Sequence, residues 1–207
     1  MPGTNVYNEP EKSVIYEEKI KRSVFIANLE PCHDENQAKN FLTRVTSEHR
    51  DATHNCRAYI IGSENPREYF SDDGEPSGTA GRPILSAIKK SGLVNVMVIV
   101  TRYFGGVKLG TRGLIDAYGG TAEKALGMAG CVKKILTAPL KISPEYNSVG
   151  TVTRLLENCG ALNLKWEYGE FVSVIADIPV ILIENICREL EELKARKIIK
   201  NWEKINS

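Results

Sequence analysis

The 207-residue sequence has no long hydrophobic run, since its longest largely apolar and uncharged stretch is Val94–Val100. A membrane-spanning helix needs about 20 apolar residues, so we expect no transmembrane segment and no membrane partner. Residues 1–10 are polar and lack the apolar core of a secretion signal. These absences favour a cytoplasmic protein.

Paired cysteine motifs are also missing. The five cysteines form an odd set and include no CxxC pair, which argues against a disulfide framework or a zinc site and favours reduced thiols. They are Cys32, Cys56, Cys131, Cys159 and Cys187. Neither Gly-x-Ser-x-Gly nor HExxH occurs, so the sequence predicts no cofactor and no catalytic residue from those motifs.

Acidic residues are absent from one long segment. The net charge is only +1, from 27 basic and 26 acidic residues, which excludes a globally basic nucleic-acid binder. Residues 76–115, however, contain no acid and six bases: Arg82, Lys89, Lys90, Arg102, Lys108 and Arg112. Such a stretch can supply a local phosphate-binding surface in a neutral protein.

What is present has the composition of an ordinary globular protein, with 42% hydrophobic and 26% charged residues. Hydrophobic periodicity in the first part predicts strands at 23–29, 55–62 and 95–101 and helices at 35–48, 83–91 and 111–128. The Asp34–Gln37 spacing resembles a capping box for the first helix. The run 95–101 is typical of a strand covered on both faces, and 63–81 is predicted to be a long loop.

A second unit is predicted from about residue 131, with strands at 136–143, 161–168, 170–178 and 197–202 and helices at 147–159 and 180–194. This βαββαβ order is the ferredoxin-like pattern. We therefore expect a mixed α/β protein with two domains, 1–130 and 131–207.

The first candidate site is Asp72–Pro83, which reads Asp-Asp-Gly-Glu-Pro-Ser-Gly-Thr-Ala-Gly-Arg-Pro. Glycines allow a tight turn ahead of a helix, where backbone N–H groups favour an anion. Gly78, Thr79, Gly81 and Arg82 are thus candidate phosphate contacts, and a structural turn is the alternative. The acids of this segment, Asp72, Asp73 and Glu75, are weaker candidates for holding Mg²⁺, because acidic loops more often are solvated or cap helices.

The second candidate is the glycine-rich turn after the buried strand, at 101–113. Arg102, Lys108 and Arg112 supply positive charge, while Tyr103 and Phe104 supply rings. Cations interleaved with aromatic rings suit single-stranded nucleic acid, through phosphate attraction and base stacking. The alternative is that the rings belong to the core and the arginines pair with the acids at 72–75.

The third candidate is Asp51–Arg57, in which His54 and Cys56 share one face of a strand. A catalytic Cys–His pair usually comes from separate elements, so the sequence favours a packed strand start with a hydrogen-bonded His54.

These three segments together resemble the IMPACT family, and the match to its bacterial two-domain members is close. The tracts that carry it are Asp72–Gly81 and Val-Thr-Arg-Tyr-Phe-Gly-Gly-Val-Lys-Leu-Gly at 100–110, within a resemblance that covers about 15–128. It implies a first domain like elongation factor G domain four, of the ribosomal-protein domain-2-like βαβ type. It also implies a second domain like elongation factor G domain five.

The resemblance implies a non-enzymatic, translation-associated regulator that binds RNA or the ribosome, with further protein partners in the translation machinery. The resemblance also implies that eukaryotic relatives regulate translation by competing for the activator of a kinase and carry an additional N-terminal interaction domain; we do not expect this sequence to have that domain, so the kinase-regulating role is not carried over. Two alternatives stay open: a metal-dependent enzyme acting on a phosphorylated or nucleotide substrate, and a protein-interaction module with purely structural motifs. In the RNA-binding hypothesis, the two glycine-rich turns meet and form one solvent-facing cationic groove.

Overall fold

The computed structural model describes residues 6–205, which form two compact units, one at Tyr7–Lys134 and the other beginning at Ile135. Strands and five α-helices occur in the described part, which confirms the mixed α/β class. No helix there is both long and apolar enough to cross a membrane.

In the first part of the described chain, five strands form a main sheet beside three helices, and two further strands pair with each other. Its strands are β1 (Val6–Glu9), β2 (Val14–Ile20), β3 (Ser23–Pro31), β4 (His54–Ile61), β5 (Arg67–Ser71), β6 (Val96–Tyr103) and β7 (Val132–Ile135). The helices are α1 (Glu35–Glu48), α2 (Gly81–Ser91) and α3 (Gly110–Ala129). The main sheet has the order β2-β3-β6-β4-β5, with antiparallel neighbours, and β1 pairs with β7 separately.

Strand β6 is the centre of this unit, as its uninterrupted apolar sequence predicts. Val98 and Val100 pack in the core beneath α2 and α3, whereas Met97 and Ile99 pack in a second core on the α1 side. Side chains alternate along a strand. Arg102 therefore continues the α2/α3 side of the sheet, and Tyr103 continues the α1 side.

Helix α1 has the predicted bounds because its start signal is local. The Asp34 side chain accepts a hydrogen bond from the Gln37 backbone N–H at 2.8 Å, which caps the helix. Ala38, Phe41 and Val45 form its buried face.

Strands β1, β2, β5 and β7 were not predicted, and β5 corrects the expected loop at 63–81. Most residues of β5 are exposed, and β4 is its only neighbour in the sheet. An edge strand with no buried face carries little hydrophobic pattern, so periodicity does not reveal it.

The second unit has the predicted βαββαβ order of elements. They are β8 (Thr137–Pro144), α4 (Val149–Asn158), β9 (Leu162–Tyr168), β10 (Val172–Pro179), α5 (Ile183–Ala195) and β11 (Ile199–Lys204). The sheet order is β11-β8-β10-β9, over a core that includes Leu140, Val174 and Leu190. The specific likenesses to a ferredoxin-like domain and to elongation factor G domain four stay predictions.

Candidate functional site

The two glycine-rich segments meet through a buried ion pair. Arg102, near the end of β6, places Nη1 2.6 Å from Oε1 of Glu75, which lies in the loop between β5 and α2. The two side chains are only 7% and 4% exposed. The expectation that these turns meet is correct, but the expectation that the Arg102 guanidinium faces solvent is wrong, because an internal carboxylate holds it.

Glu75 is the centre of a larger polar network. Its Oε1 also accepts a hydrogen bond from the Tyr118 hydroxyl at 2.8 Å, and His54 Nε2 lies 4.0 Å away. His54 Nδ1 lies 2.7 Å from the backbone carbonyl oxygen of Asp73. Since a carbonyl oxygen only accepts, Nδ1 carries a hydrogen, and Nε2 is an acceptor in the uncharged form of the ring.

Aromatic rings enclose the guanidinium. Its central carbon lies 5.5 Å from the Phe25 ring centre and 5.3 Å from the Phe104 ring centre, which is cation–π geometry. Phe25 is fully buried, whereas Phe104 is 47% exposed. Arg102 therefore fixes an aromatic ring at the surface.

A cavity of about 390 Å³ opens beside this network. Its walls include Thr53, His54, Glu75, Arg102, Phe104, Lys108 and the start of α3 at Gly110 and Thr111. Helix α3 has no side-chain cap and no acid in its first turn. Its first backbone N–H groups consequently give this cavity a positive end.

The start of α2 is arranged differently, because the chain supplies its own anion there. The Asp72 carboxylate accepts hydrogen bonds from the backbone N–H groups of Gly78, Ala80 and Gly81, at 2.8, 3.0 and 2.8 Å. The Thr79 hydroxyl is buried and donates to the Pro76 carbonyl oxygen at 2.7 Å. The position that the sequence assigns to a phosphate is thus filled by Asp72.

Close packing explains why Gly81 is a glycine. A Cβ atom at this position would lie 2.7 Å from the carbonyl carbon and oxygen of Ser71. The contact brings the end of β5 against the start of α2, so that Asp72 reaches the amides.

The remaining candidate residues lie in different surroundings. Tyr103 lies on the α1 side, with its hydroxyl 2.9 Å from His49 Nδ1. Arg82 is exposed, stands over the Phe70 ring at 5.8 Å and lines a separate cavity of about 490 Å³ between α2 and α3. Arg112 is 86% exposed and pairs with Asp116 at 3.1 Å. Lys108 is exposed, and no acid of the described residues pairs with it.

The three acids considered for Mg²⁺ each have other partners. Asp72 holds the α2 amides, Glu75 holds Arg102, and Asp73 accepts from the Asn55 N–H at 2.8 Å and from Arg57 at 3.2 Å. Within residues 6–205, no group of three His, Cys, Asp or Glu side chains is placed to hold a metal ion.

The third candidate segment is a packed strand start, and the predicted hydrogen bond of His54 is confirmed. Cys56 is buried and its thiol donates to the Asp72 carbonyl oxygen at 2.9 Å. Burial raises the pKa of the Cys56 thiol to about 12. Burial, followed by the neighbouring Cys56 and Glu75, also raises the pKa of Tyr118, so its hydroxyl remains the donor to Glu75.

Two cations near the cavity were missed. Lys21 and Arg22 form the two-residue turn between β2 and β3, with φ of 43° and 72°, as hairpin turns of this length require. A Cβ atom on Gly105 would fall 2.0 Å from the Arg22 carbonyl oxygen, so the hairpin tip lies directly against the loop after β6. The residues of β2 do not alternate between apolar and polar types, so periodicity gives no signal for this hairpin.

Comparison with known proteins identifies the family. The Impact N-terminal domain matches residues 21–126. The IMPACT family member YigZ of Escherichia coli is 34% identical over 185 residues, which cover 88% of this chain and 91% of that protein. An IMPACT family member of Haemophilus influenzae is also 34% identical, over 93% of this chain and 95% of the relative.

A solved structure described as a hypothetical protein covers 99% of both chains at 32% identity, with a TM-score of 0.72. The similarity thus extends over both units, and the domain match falls on the segments that form the cavity and the Glu75–Arg102 pair. On this evidence the chain is a YigZ-like member of the IMPACT family.

Proposed function

We propose that this protein is a translation-associated regulator that binds RNA or the ribosome through the cationic end of its N-terminal unit. That end consists of Lys108, which lines the cavity beside Phe104, of Arg112 in the first turn of α3, and of Lys21 and Arg22 in the β2–β3 turn that contacts Gly105. Family membership supports a role in translation, because the resemblance to the family implies one. RNA and the translation machinery are the corresponding partners, and the cytoplasm is the corresponding location.

The observation that carries the proposal is the shortage of neutralising acids at this end. No acid of the described residues pairs with Lys21, Arg22 or Lys108 within 4.0 Å, and Arg112 has only an exposed pair with Asp116. Exposed pairs contribute little and are screened by salt. Unneutralised cations can displace counterions from a phosphate backbone, which makes binding favourable at low salt.

The individual candidates take distinct roles in this proposal. Lys108 and Arg112 contact phosphate, Phe104 stacks on a base, and the buried Arg102 positions Phe104 instead of touching the backbone. Arg82 contributes from the neighbouring cavity between α2 and α3. Tyr103 holds the end of β6 through His49.

The test measures affinity for mixed-sequence RNA, and co-sedimentation with ribosomes, at several salt concentrations. We expect binding to weaken with salt, and Lys108→Ala to reduce the slope of log K against log salt by about one. Lys39→Ala is the matched control, because it removes the same charge from an exposed position on α1. Absence of binding at low salt, or an equal effect of both variants, would contradict the proposal.

The interaction-module alternative is favoured by one observation, namely that Arg102 and Asp72 both bind partners within the chain. In that case ribosome co-sedimentation persists at high salt, and neither lysine variant changes it.

A further inference from the structure

We propose that the cavity beside Phe104 selects a guanine nucleotide, with the base edge on Glu75 and His54 and the phosphate at Lys108 and the start of α3. The inference rests on the proposed function and names the nucleotide unit that the same site recognises.

The floor of the cavity presents two hydrogen-bond acceptors. Glu75 Oε1 already accepts from Arg102 and Tyr118, whereas Oε2 receives no hydrogen bond from any described residue. Within residues 6–205 the fully buried side-chain polar atoms without a partner are Asn28 Nδ2 and Arg102 Nε. Oε2 is not one of them, so it retains accessible surface, and Glu75 is one of the residues that line the cavity. The second acceptor is Nε2 of His54 in its uncharged form, and His54 also lines the cavity.

Two neighbouring acceptors require a guest that brings neighbouring N–H donors. Guanine does so, because its N1–H and its 2-amino group lie side by side on one edge. Uracil brings a single N–H between two carbonyl oxygens, and those oxygens would face the Glu75 carboxylate. A site whose polar groups stay unpaired with the wrong guest discriminates strongly.

The walls suit the rest of a nucleotide. Phe104 is 47% exposed and offers a ring for stacking, and the cavity volume of about 390 Å³ is in the range of small-molecule sites. Lys108 and the uncapped first turn of α3 favour an anion. A cationic peptide could also supply N–H donors, but Lys21, Arg22 and Lys108 would repel it.

The experiment measures binding of GMP, IMP and UMP to the full chain at low salt by calorimetry. IMP lacks the 2-amino group, and we expect it to bind about tenfold more weakly than GMP, with UMP weaker still. Phe104→Ala and Lys108→Ala should weaken GMP binding, whereas Lys39→Ala should not. A thermal melt of each variant shows whether it remains folded.

Guanine-rich and uracil-rich RNA oligonucleotides of equal length distinguish the source of the nucleotide. Preference for the guanine-rich strand assigns the site to RNA, and selective GMP binding without that preference assigns it to a free nucleotide. Equal binding of GMP and UMP, or no binding of either, overturns the inference.

The same measurements separate the two proposals. Salt-dependent binding of mixed-sequence RNA without guanine selectivity removes only this inference. GMP selectivity without RNA or ribosome binding removes only the proposed function.

Discussion

Arg102 and Glu75 show how one side chain can be necessary to a site without touching a ligand. Both are nearly excluded from water, which is costly for two charges unless each is well paired. Nη1 and the Tyr118 hydroxyl converge on one oxygen of Glu75, so the other oxygen remains available. The ion pair thus holds the guanidinium against the Phe104 ring and leaves one oxygen of Glu75 without a hydrogen bond from the described residues.

Removing one partner of this pair should be far more harmful than removing both. We expect Glu75→Leu alone to lower the free energy of unfolding by about 3–5 kcal/mol, because it leaves a buried unpaired guanidinium. The double variant with Arg102→Met should lose much less than the sum of the two single variants. Urea unfolding of the three variants measures this coupling.

Arg112→Met is the matched control for that series. Its pair with Asp116 is exposed, so we expect a change below about 1 kcal/mol. Additive effects of Glu75→Leu and Arg102→Met would contradict the role assigned to the pair.

The sequence identifies these residue types but not their exposure. Arg102, Lys108 and Arg112 all lie in one acid-free, glycine-rich segment, and nothing local distinguishes the buried one. The partner that buries Arg102 is 27 positions away, at Glu75. Asp72 is a similar case, because its carboxylate can reach its three amide partners only when Gly81 allows β5 to approach α2.

At the scale of elements, replacing either of two helical glycines with alanine should change stability in opposite directions. Gly81→Ala places a Cβ atom 2.7 Å from the Ser71 backbone, and we expect a loss of about 1–3 kcal/mol in stability from that overlap. Gly120→Ala, in the middle of α3, meets no heavy atom within 4 Å and should gain about 0.5–1 kcal/mol from helix propensity. Thermal and urea unfolding of both variants check the signs, and changes of equal sign would refute the packing argument.

In the N-terminal unit, elements with a buried face were predictable, whereas the edge strands β2 and β5 of its main sheet were not. Helix α1 and strand β6 carry strong periodicity and a clear cap or an unbroken apolar run, so their positions follow from the sequence. Strand β2 alternates in burial but not in residue type, and β5 is mostly exposed and gains its conformation only by pairing with β4. The set of cations predicted from the sequence therefore lacks Lys21 and Arg22, because these residues belong to the β2–β3 hairpin, which was not predicted.

At the scale of the whole molecule, the buried thiols make stability sensitive to alkaline pH. Burial raises the pKa of both Cys32 and Cys56 from 9.0 to about 12. Below pH 9 these thiols are protonated in the folded and the unfolded chain, so their contribution is fully present. As the pH rises from 9 towards 12, only the unfolded chain loses these protons, and the free energy of unfolding should fall by up to about 1.4 kcal/mol per pH unit for each thiol.

Urea unfolding between pH 8 and 11 measures this dependence. Cys56→Ala should make the decline shallower, whereas Cys131→Ala, at an exposed position, should leave it unchanged. The same slope in the wild type and in Cys56→Ala would show that the thiol does not titrate as described.

The net charge of +1 conceals an uneven distribution, because residues 76–115 carry six bases and no acid. The Asp72 carboxylate has a practical consequence for work with this protein. Because Asp72 already accepts hydrogen bonds from the amides at the start of α2, we expect inorganic phosphate in a buffer to compete instead for the proposed site at the start of α3. Assays of nucleotide or RNA binding should therefore be run in a buffer without phosphate or sulfate, so that no buffer anion competes for the cavity beside Lys108.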